Sequence, residues 1–241
     1  MPELPEVETV ARTLRPHVQG SVITGASLLR DSSLHPLSLR PEDLQGCTIT
    51  DVGRRGKLLL LELDAAQAAS PHVRGATDLR LAVHLRMTGR LMTYSMDTPP
   101  GTHTRCVFDL TNAQWQKRRL FFDDVRAFGL LLAGTPQTMQ RWDFWRELGP
   151  EPLELTESAF FARLDGKNAA IKAVLLDQKV IAGVGNIYAD ECLFAAGIDP
   201  RRKAASLTAA QRSRLLTSLT DALLLSISQC GRSIRDYRDA N

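Results

Sequence analysis

No run of 18 consecutive apolar residues occurs in this 241-residue chain, so the sequence offers no membrane-spanning helix. Its first residues are acidic where a signal peptide would be basic and then apolar, and the expectation is a cytoplasmic protein. Cysteine is scarce: Cys47, Cys106, Cys192 and Cys230 lie far apart and form no C-x-x-C pair. That spacing argues against a zinc site or a secreted disulfide framework, and all four are expected to be small buried apolar residues. Neither sign of charge dominates, the formal net being +3. The surplus is nevertheless uneven. Residues 1–166 carry 19 basic and 20 acidic side chains, residues 167–241 carry 11 and 7. A surplus in the last third fits either a phosphate-binding face or ordinary solvated helices.

What is present is the composition of a globular protein, with 44% hydrophobic and 24% charged residues, long enough for one large domain or two modest ones. From Pro5 to Val18 the apolar residues Val7, Val10, Ala11, Leu14 and Val18 recur at helical spacing, with Gly20 as a stop. Eight short segments of β character follow between Ser21 and Leu132, separated by Gly, Pro, Asn and Asp, a pattern that predicts a sandwich or barrel. The Ala-rich stretch 65–77 reads as a surface loop. Pro136, Gly149, Pro150 and Pro152 mark a connection. Beyond it the spacing predicts helices over 157–164, 168–178, 187–196 and 208–229, the last opened by a Thr208/Gln211 capping box.

Two stretches carry chemistry. If Met1 is removed, Pro2 becomes a secondary amine at the chain end. An α-amino group titrates near ~7.7–8.0, so a fraction is unprotonated and able to attack an electrophilic carbon. Glu3 would stand beside it as a proton donor. The competing reading is that Pro2 only starts a helix whose first-turn acids complement its dipole. In the second stretch, Lys179 to Asn186, two glycines permit a tight turn with Asn186 at a helix-capping position. Such a turn either aims backbone N–H groups at a phosphate or merely connects two helices.

Four motifs occur together: Pro-Glu-Leu-Pro-Glu-Val-Glu-Thr at residues 2–9, Arg-Arg-Gly-Lys at 54–57, His-Leu-Arg-Met-Thr-Gly at 84–89 and Ala-Gly-Val-Gly-Asn-Ile-Tyr-Ala-Asp-Glu at 182–191. In this order the chain resembles the formamidopyrimidine-DNA glycosylase family, which includes endonuclease VIII. The Pro-Glu-Leu opening resembles the formamidopyrimidine branch. The resemblance implies an α+β multidomain protein with an N-terminal β-sandwich with flanking helices (1–134), a linker (135–152) and an all-α helix-two-turn-helix domain (153–241). It further implies a bifunctional glycosylase and lyase of base excision repair. Its substrates would be oxidised purines, 8-oxoguanine and formamidopyrimidines, in double-stranded DNA, and it would act as a nucleoid-associated cytoplasmic monomer with no membrane association.

Residue by residue, the resemblance makes Pro2 the nucleophile that attacks C1′ and forms a Schiff base, Glu3 the acid that opens the sugar ring and Lys57 a proton donor in the strand-cutting elimination. Glu6 becomes a buried carboxylate supporting the site. Met87, Arg126 and Phe128 become the side chains that fill the gap left by the everted nucleotide, a role in which an apolar wedge kinks the duplex and an arginine fork holds the orphaned base. Without the resemblance, core packing is the ordinary expectation for Met87 and Phe128. His103, Lys167, Lys172 and Asn186 match phosphate contacts, and Ser233 to Ala240 match the loop that reads the flipped base.

Three departures stand out. Asp124-Val125-Arg126-Ala127-Phe128-Gly129 lacks the second arginine usual in the family. About four residues are inserted around 114–119, where Lys117, Arg118 and Arg119 either add charge near DNA or form a solvated turn. The family's four-cysteine zinc hairpin would lie beyond Asn241, so no metal or other cofactor is expected within these residues. Two rival readings stay open: an oxidised-pyrimidine glycosylase of the endonuclease VIII branch, and a non-catalytic damaged-DNA-binding protein.

Overall fold

The computed structural model describes residues 1–230. Helix α1 (Leu4–Val18) buries its 7/10/11/14/18 stripe as the spacing predicts, while Leu4 belongs to a different core, that of the helical half. α1 is followed by eight antiparallel strands: β1 (Val22–Leu28), β2 (Thr48–Arg55), β3 (Leu58–Asp64), β4 (Leu79–His84), β5 (Gly89–Tyr94), β6 (Thr104–Thr111), β7 (Lys117–Asp124) and β8 (Leu130–Gly134). Their hydrogen-bonded order is β5-β7-β6-β1-β2-β3-β4-β8. β1 and β2 meet through one residue pair, Val22 and Thr48, whereas every other neighbouring pair shares five or more. This seam divides the sheet into two four-stranded layers, and residues of both, such as Phe108 and Phe122 with Leu59 and Leu81, share one core with α1.

β2 and β3 are joined by Gly56 and Lys57 alone, with Arg55 facing Leu58. Gly56 has φ +56°, the backbone that a two-residue hairpin with glycine first demands. The lysine singled out in the sequence is thus fixed at the tip of the tightest turn available.

Three sequence expectations are corrected here. The stretch 65–77 is not simply a surface loop, because Ala65, Ala68 and Val73 are buried in the main core. The connection after β8 folds into two short helices, α2 (Pro136–Arg141) and α3 (Asp143–Arg146). Their Met139, Trp142 and Trp145 cover Leu58, Leu60, Ala82 and Leu132 on the outer face of the sheet. Cys47, Cys106 and Cys192 are buried, but Cys230 is exposed just beyond the last helix, at φ +59°.

The rest of the described chain is helical: α4 (Glu157–Leu164), α5 (Ile171–Leu176), α6 (Asn186–Ala196) and α7 (Ala209–Ser228). The capping box at Thr208 and Gln211 forms as predicted. The helix expected over 168–178 is shorter, because residues 167–170 instead bond the 202–205 segment, Ala204 and Ala205 donating to Ala169 and Lys167. No helix among the described residues is long and apolar enough to cross a membrane.

Candidate active site

The N-terminus of α1 is held by the helical half. Pro2 is buried, and the Leu4 N–H donates to the Gly183 carbonyl at 3.0 Å. The Glu3 carboxylate accepts from the Ile187 N–H at 2.9 Å and, more weakly, from the Tyr188 N–H at 3.5 Å, so it occupies the anion-binding start of α6. This settles the role of the glycine turn, which neither cradles a phosphate with those N–H groups nor merely joins helices. A Cβ on Gly185 would lie 2.2 Å from the Glu3 carboxyl carbon, and one on Gly183, at φ +82°, would lie 2.8 Å from the Leu4 side chain. Both glycines are there so that the turn can lie flat on residues 3 and 4. Gly185 is also the helix cap, which makes Asn186 the first helical residue instead of the cap expected from the sequence.

Glu6 completes the junction. Its Oε2 accepts from the Glu3 N–H at 2.9 Å, and its Oε1 accepts from the Tyr188 hydroxyl at 2.7 Å. Because the tyrosine proton is committed to Glu6, Ser226 of α7 donates to the Tyr188 oxygen, at 2.6 Å. All three side chains are buried, so each bond is made without competition from water. Burial and the bond to Glu6 both push the Tyr188 phenol up, against the opposing effect of Ser226. Glu6 thus ties the backbone next to Pro2 to Tyr188 of α6 and, through it, to Ser226 of α7.

Lys57 reaches the same place from the β2–β3 turn. It is 4% exposed, and its charge interacts with Glu3 and Glu6. Desolvation lowers its pKa from the ordinary lysine value, the two carboxylates opposing that fall. Desolvation likewise raises the pKa of Glu3, opposed by the Ile187 N–H and by Lys57. Burial thus pushes the two groups toward each other, the carboxyl up and the ammonium down, while their opposite charges resist it. The turn itself is clamped by Glu151, which accepts from the Gly56 N–H and pairs with Arg54, while Arg54 also pairs with Glu8 of α1. Arg55 lies over the Trp145 ring at 4.3 Å. Next to Lys57, buried His84 accepts the Arg86 N–H on Nδ1 and is held neutral, its pKa lowered to about 3 by desolvation and by the charges of Arg86 and Lys57.

Sequence reasoning missed Tyr188, Ser226, Glu151 and His84 as members of this site. Tyr188 and His84 lie inside two of the quoted motifs, and that was their only available signal.

The gap-filling candidates lie on two adjoining loops. Met87 and Phe128 are 48% and 56% exposed, which rules out the core-packing alternative, and the Arg126 guanidinium contacts the Met87 sulfur at 3.0 Å and lies 4.9 Å from the Phe128 ring. Buried Asp124 organises both loops. It accepts from the Thr88 hydroxyl, from the Arg126 N–H at 3.3 Å and from the Gly129 N–H at 2.6 Å. Where the family's second arginine would stand, Ala127 has φ +55°. His103 is exposed, and its carbonyl accepts the Asp124 N–H. Lys167 and Asn186 are exposed as well, whereas Lys172 is engaged by Asp190 at 2.7 Å. The lesion-reading stretch Ser233 to Ala240 lies outside the described residues. No group of three or more potential ligands suits a metal ion among the described residues, and buried Cys47, Cys106 and Cys192 are not grouped, so these residues do not fit the family's zinc centre.

Family models match the chain over residues 1–131, as the formamidopyrimidine-DNA glycosylase N-terminal domain, and over 148–238, as the H2TH domain of the same enzyme. A formamidopyrimidine-DNA glycosylase of Moorella thermoacetica is 42% identical, covering 100% of this chain and 84% of its own. That of Nitratidesulfovibrio vulgaris is 39% identical over 100% and 88%. Among solved structures, MutM (Fpg) of Thermus thermophilus aligns with a TM-score of 0.80 at 35% identity, covering 98% of this chain and 79% of that one. A Lactococcus lactis Fpg mutant bound to DNA containing Fapy-dG aligns with 0.84 at 31%, covering 100% and 83%.

Proposed function

Because the chain belongs to the formamidopyrimidine-DNA glycosylase family, we propose that the junction of α1, α6 and the β2–β3 turn is where its chemistry occurs. The chain is a DNA glycosylase of base excision repair, in a family that also has lyase activity. In the finer reading, Pro2, once freed of Met1, attacks C1′ of an everted oxidised purine nucleotide and displaces the base. A Schiff base to the sugar remains. Glu3 donates the proton that opens the sugar ring, and Lys57 serves the β-elimination that cuts the strand. Glu6 holds the Glu3 backbone. Met87, Arg126 and Phe128 fill the vacated position in the stack, and His103, Lys167, Lys172 and Asn186 meet phosphates, Lys172 exchanging Asp190 for one. No cofactor is needed, since nucleophile and proton donors are groups of the chain. The enzyme works as a monomer on chromosomal DNA in the cytoplasm.

The observation that carries this reading is the Glu3 carboxylate, buried beside Pro2 and Lys57 yet bonded across to α6. Borohydride reduction of the processed protein on a duplex with 8-oxoguanine opposite cytosine is expected to leave a covalent adduct, and Pro2→Gly to leave none. Absence of an adduct with the unmutated protein defeats the reading and favours the non-catalytic alternative. Faster cleavage of a thymine glycol duplex than of the 8-oxoguanine duplex favours the endonuclease VIII branch instead.

A further inference from the structure

The β6–β7 hairpin, where the sequence carries its insertion, presents a tryptophan in a way that packing does not explain. The loop between the two strands, residues 112–116, is held by its own hydrogen bonds. The Trp115 N–H donates to the Asn112 carbonyl and the Asn112 N–H to the Gln116 carbonyl, each at 3.0 Å. Asn112 Oδ1 accepts from the N–H groups of Gln114 and Gln116 at 3.0 and 2.9 Å. Trp115 occupies the loop's left-handed position, at φ +62°, where glycine is the default and a bulky side chain is an outlier. It is 84% exposed. The backbone strain is thus not offset by any burial of the ring. Strain of this kind in a hydrogen-bonded loop points to a use for the side chain.

Lys117 and Arg118 follow, exposed and on opposite faces of β7, and neither is in an ion pair among the described residues; the third base of the run, Arg119, is paired with Asp109. The remaining loop positions, Ala113, Gln114 and Gln116, are small or polar, so the ring has no apolar surround of the kind that makes a protein–protein hot spot. A flat, unpaired indole flanked by two free cations is instead the pairing that stacks on a nucleobase while neutralising its phosphates. The tip stands at the end of β7 opposite Asp124, about 23 Å of strand from the loops that carry Met87 and Arg126, too far to share their contacts. We propose that the 112–118 hairpin tip is a second nucleic-acid contact, for an unpaired nucleotide stretch, separate from the site at α1.

Of the three tryptophans, Trp142 and Trp145 are buried, so quencher-accessible fluorescence reports on Trp115. The full chain is first saturated with a short duplex bearing an abasic-site analogue to occupy the α1 site, then titrated with labelled oligothymidylate or oligouridylate. Saturable quenching and a rise in anisotropy with either strand are expected, the two arms telling DNA from RNA. Trp115→Gly should weaken that binding about 10-fold. Lys117→Ala with Arg118→Ala should lower the salt slope by about 1.4. Excision from the lesion duplex should be unchanged in both variants, and the melting midpoint of Trp115→Gly should be equal or higher. No quenching, equal quenching by polyglutamate, or a melting midpoint several degrees lower in Trp115→Gly overturns the proposal.

Discussion

The α1 junction and the loops that carry Met87 and Arg126 are built on opposite plans. At the α1 end, Glu3, Glu6, Lys57, His84, Tyr188 and Ser226 are all buried, and the polar groups of one half of the molecule are satisfied by the other. At the loop end, Met87, Arg126 and Phe128 are exposed, held through the backbone by a single carboxylate, Asp124. The first plan fixes each side chain through buried hydrogen bonds that water does not contest. The second leaves the side chains exposed to solvent, where they contribute little to folding. Substitutions at the first end should therefore injure stability and chemistry together, and those at the second should injure function alone.

The largest effect is expected from Gly185→Ala. The added methyl overlaps the Glu3 carboxylate, so either the carboxylate or the start of α6 must move. Single-turnover excision should fall by about 1000-fold, equivalent to ~4 kcal/mol, and an unaffected rate would mean that Glu3 does not need that seat. Next comes pH. The folded pKa of His84, about 3, lies below the ordinary value of 6.5, so its contribution to stability is present above pH 6.5 and is lost as the pH falls from there toward 3. Between pH 6.5 and 4 that loss amounts to about 3 kcal/mol. In His84→Asn, denaturant unfolding should show a flatter decline over this window.

Tyr188→Phe removes the hydroxyl that Glu6 and Ser226 share, and it should cost about 1–3 kcal/mol in stability. It should also slow excision more than it raises KM, because it loosens the backbone of residue 3 while leaving the DNA-facing loops intact. The smallest effect on stability belongs to Met87→Ala, within about 0.5 kcal/mol as for other exposed side chains. Its excision of a base from duplex DNA should nevertheless fall, by about 10-fold, while cleavage at a preformed abasic site falls less. A melting midpoint lowered by many degrees would place Met87 with the buried plan and erase the contrast.

How much of this was legible follows from the same contrast. α1, the strands and the capped α7 could be read because their signals are local: a 3.6-residue stripe, turn residues, a Thr and a Gln three apart. Pro2, Glu3, Glu6 and Lys57 could be named because they sit in compact motifs. The bonds that make them a site could not. Tyr188 meets Glu6 across 182 residues and Glu151 meets Gly56 across 95, and no local pattern announces such a pairing. The glycine turn reads as a phosphate cradle or a plain connection, since nothing local says that the chain's own Glu3 occupies the start of α6. α2 and α3 read as a linker in the sequence because Pro136 looks like a breaker, whereas at a first helical position it starts a helix.

The most direct test of the central claim is to map the reduced adduct. After trapping on the 8-oxoguanine duplex and digestion of protein and DNA, fragmentation mass spectrometry should find the sugar remnant on the nitrogen of residue 2, in a peptide beginning at Pro2. A remnant on the Lys57 side chain, or on any other amine with Pro2 unmodified, would contradict the account.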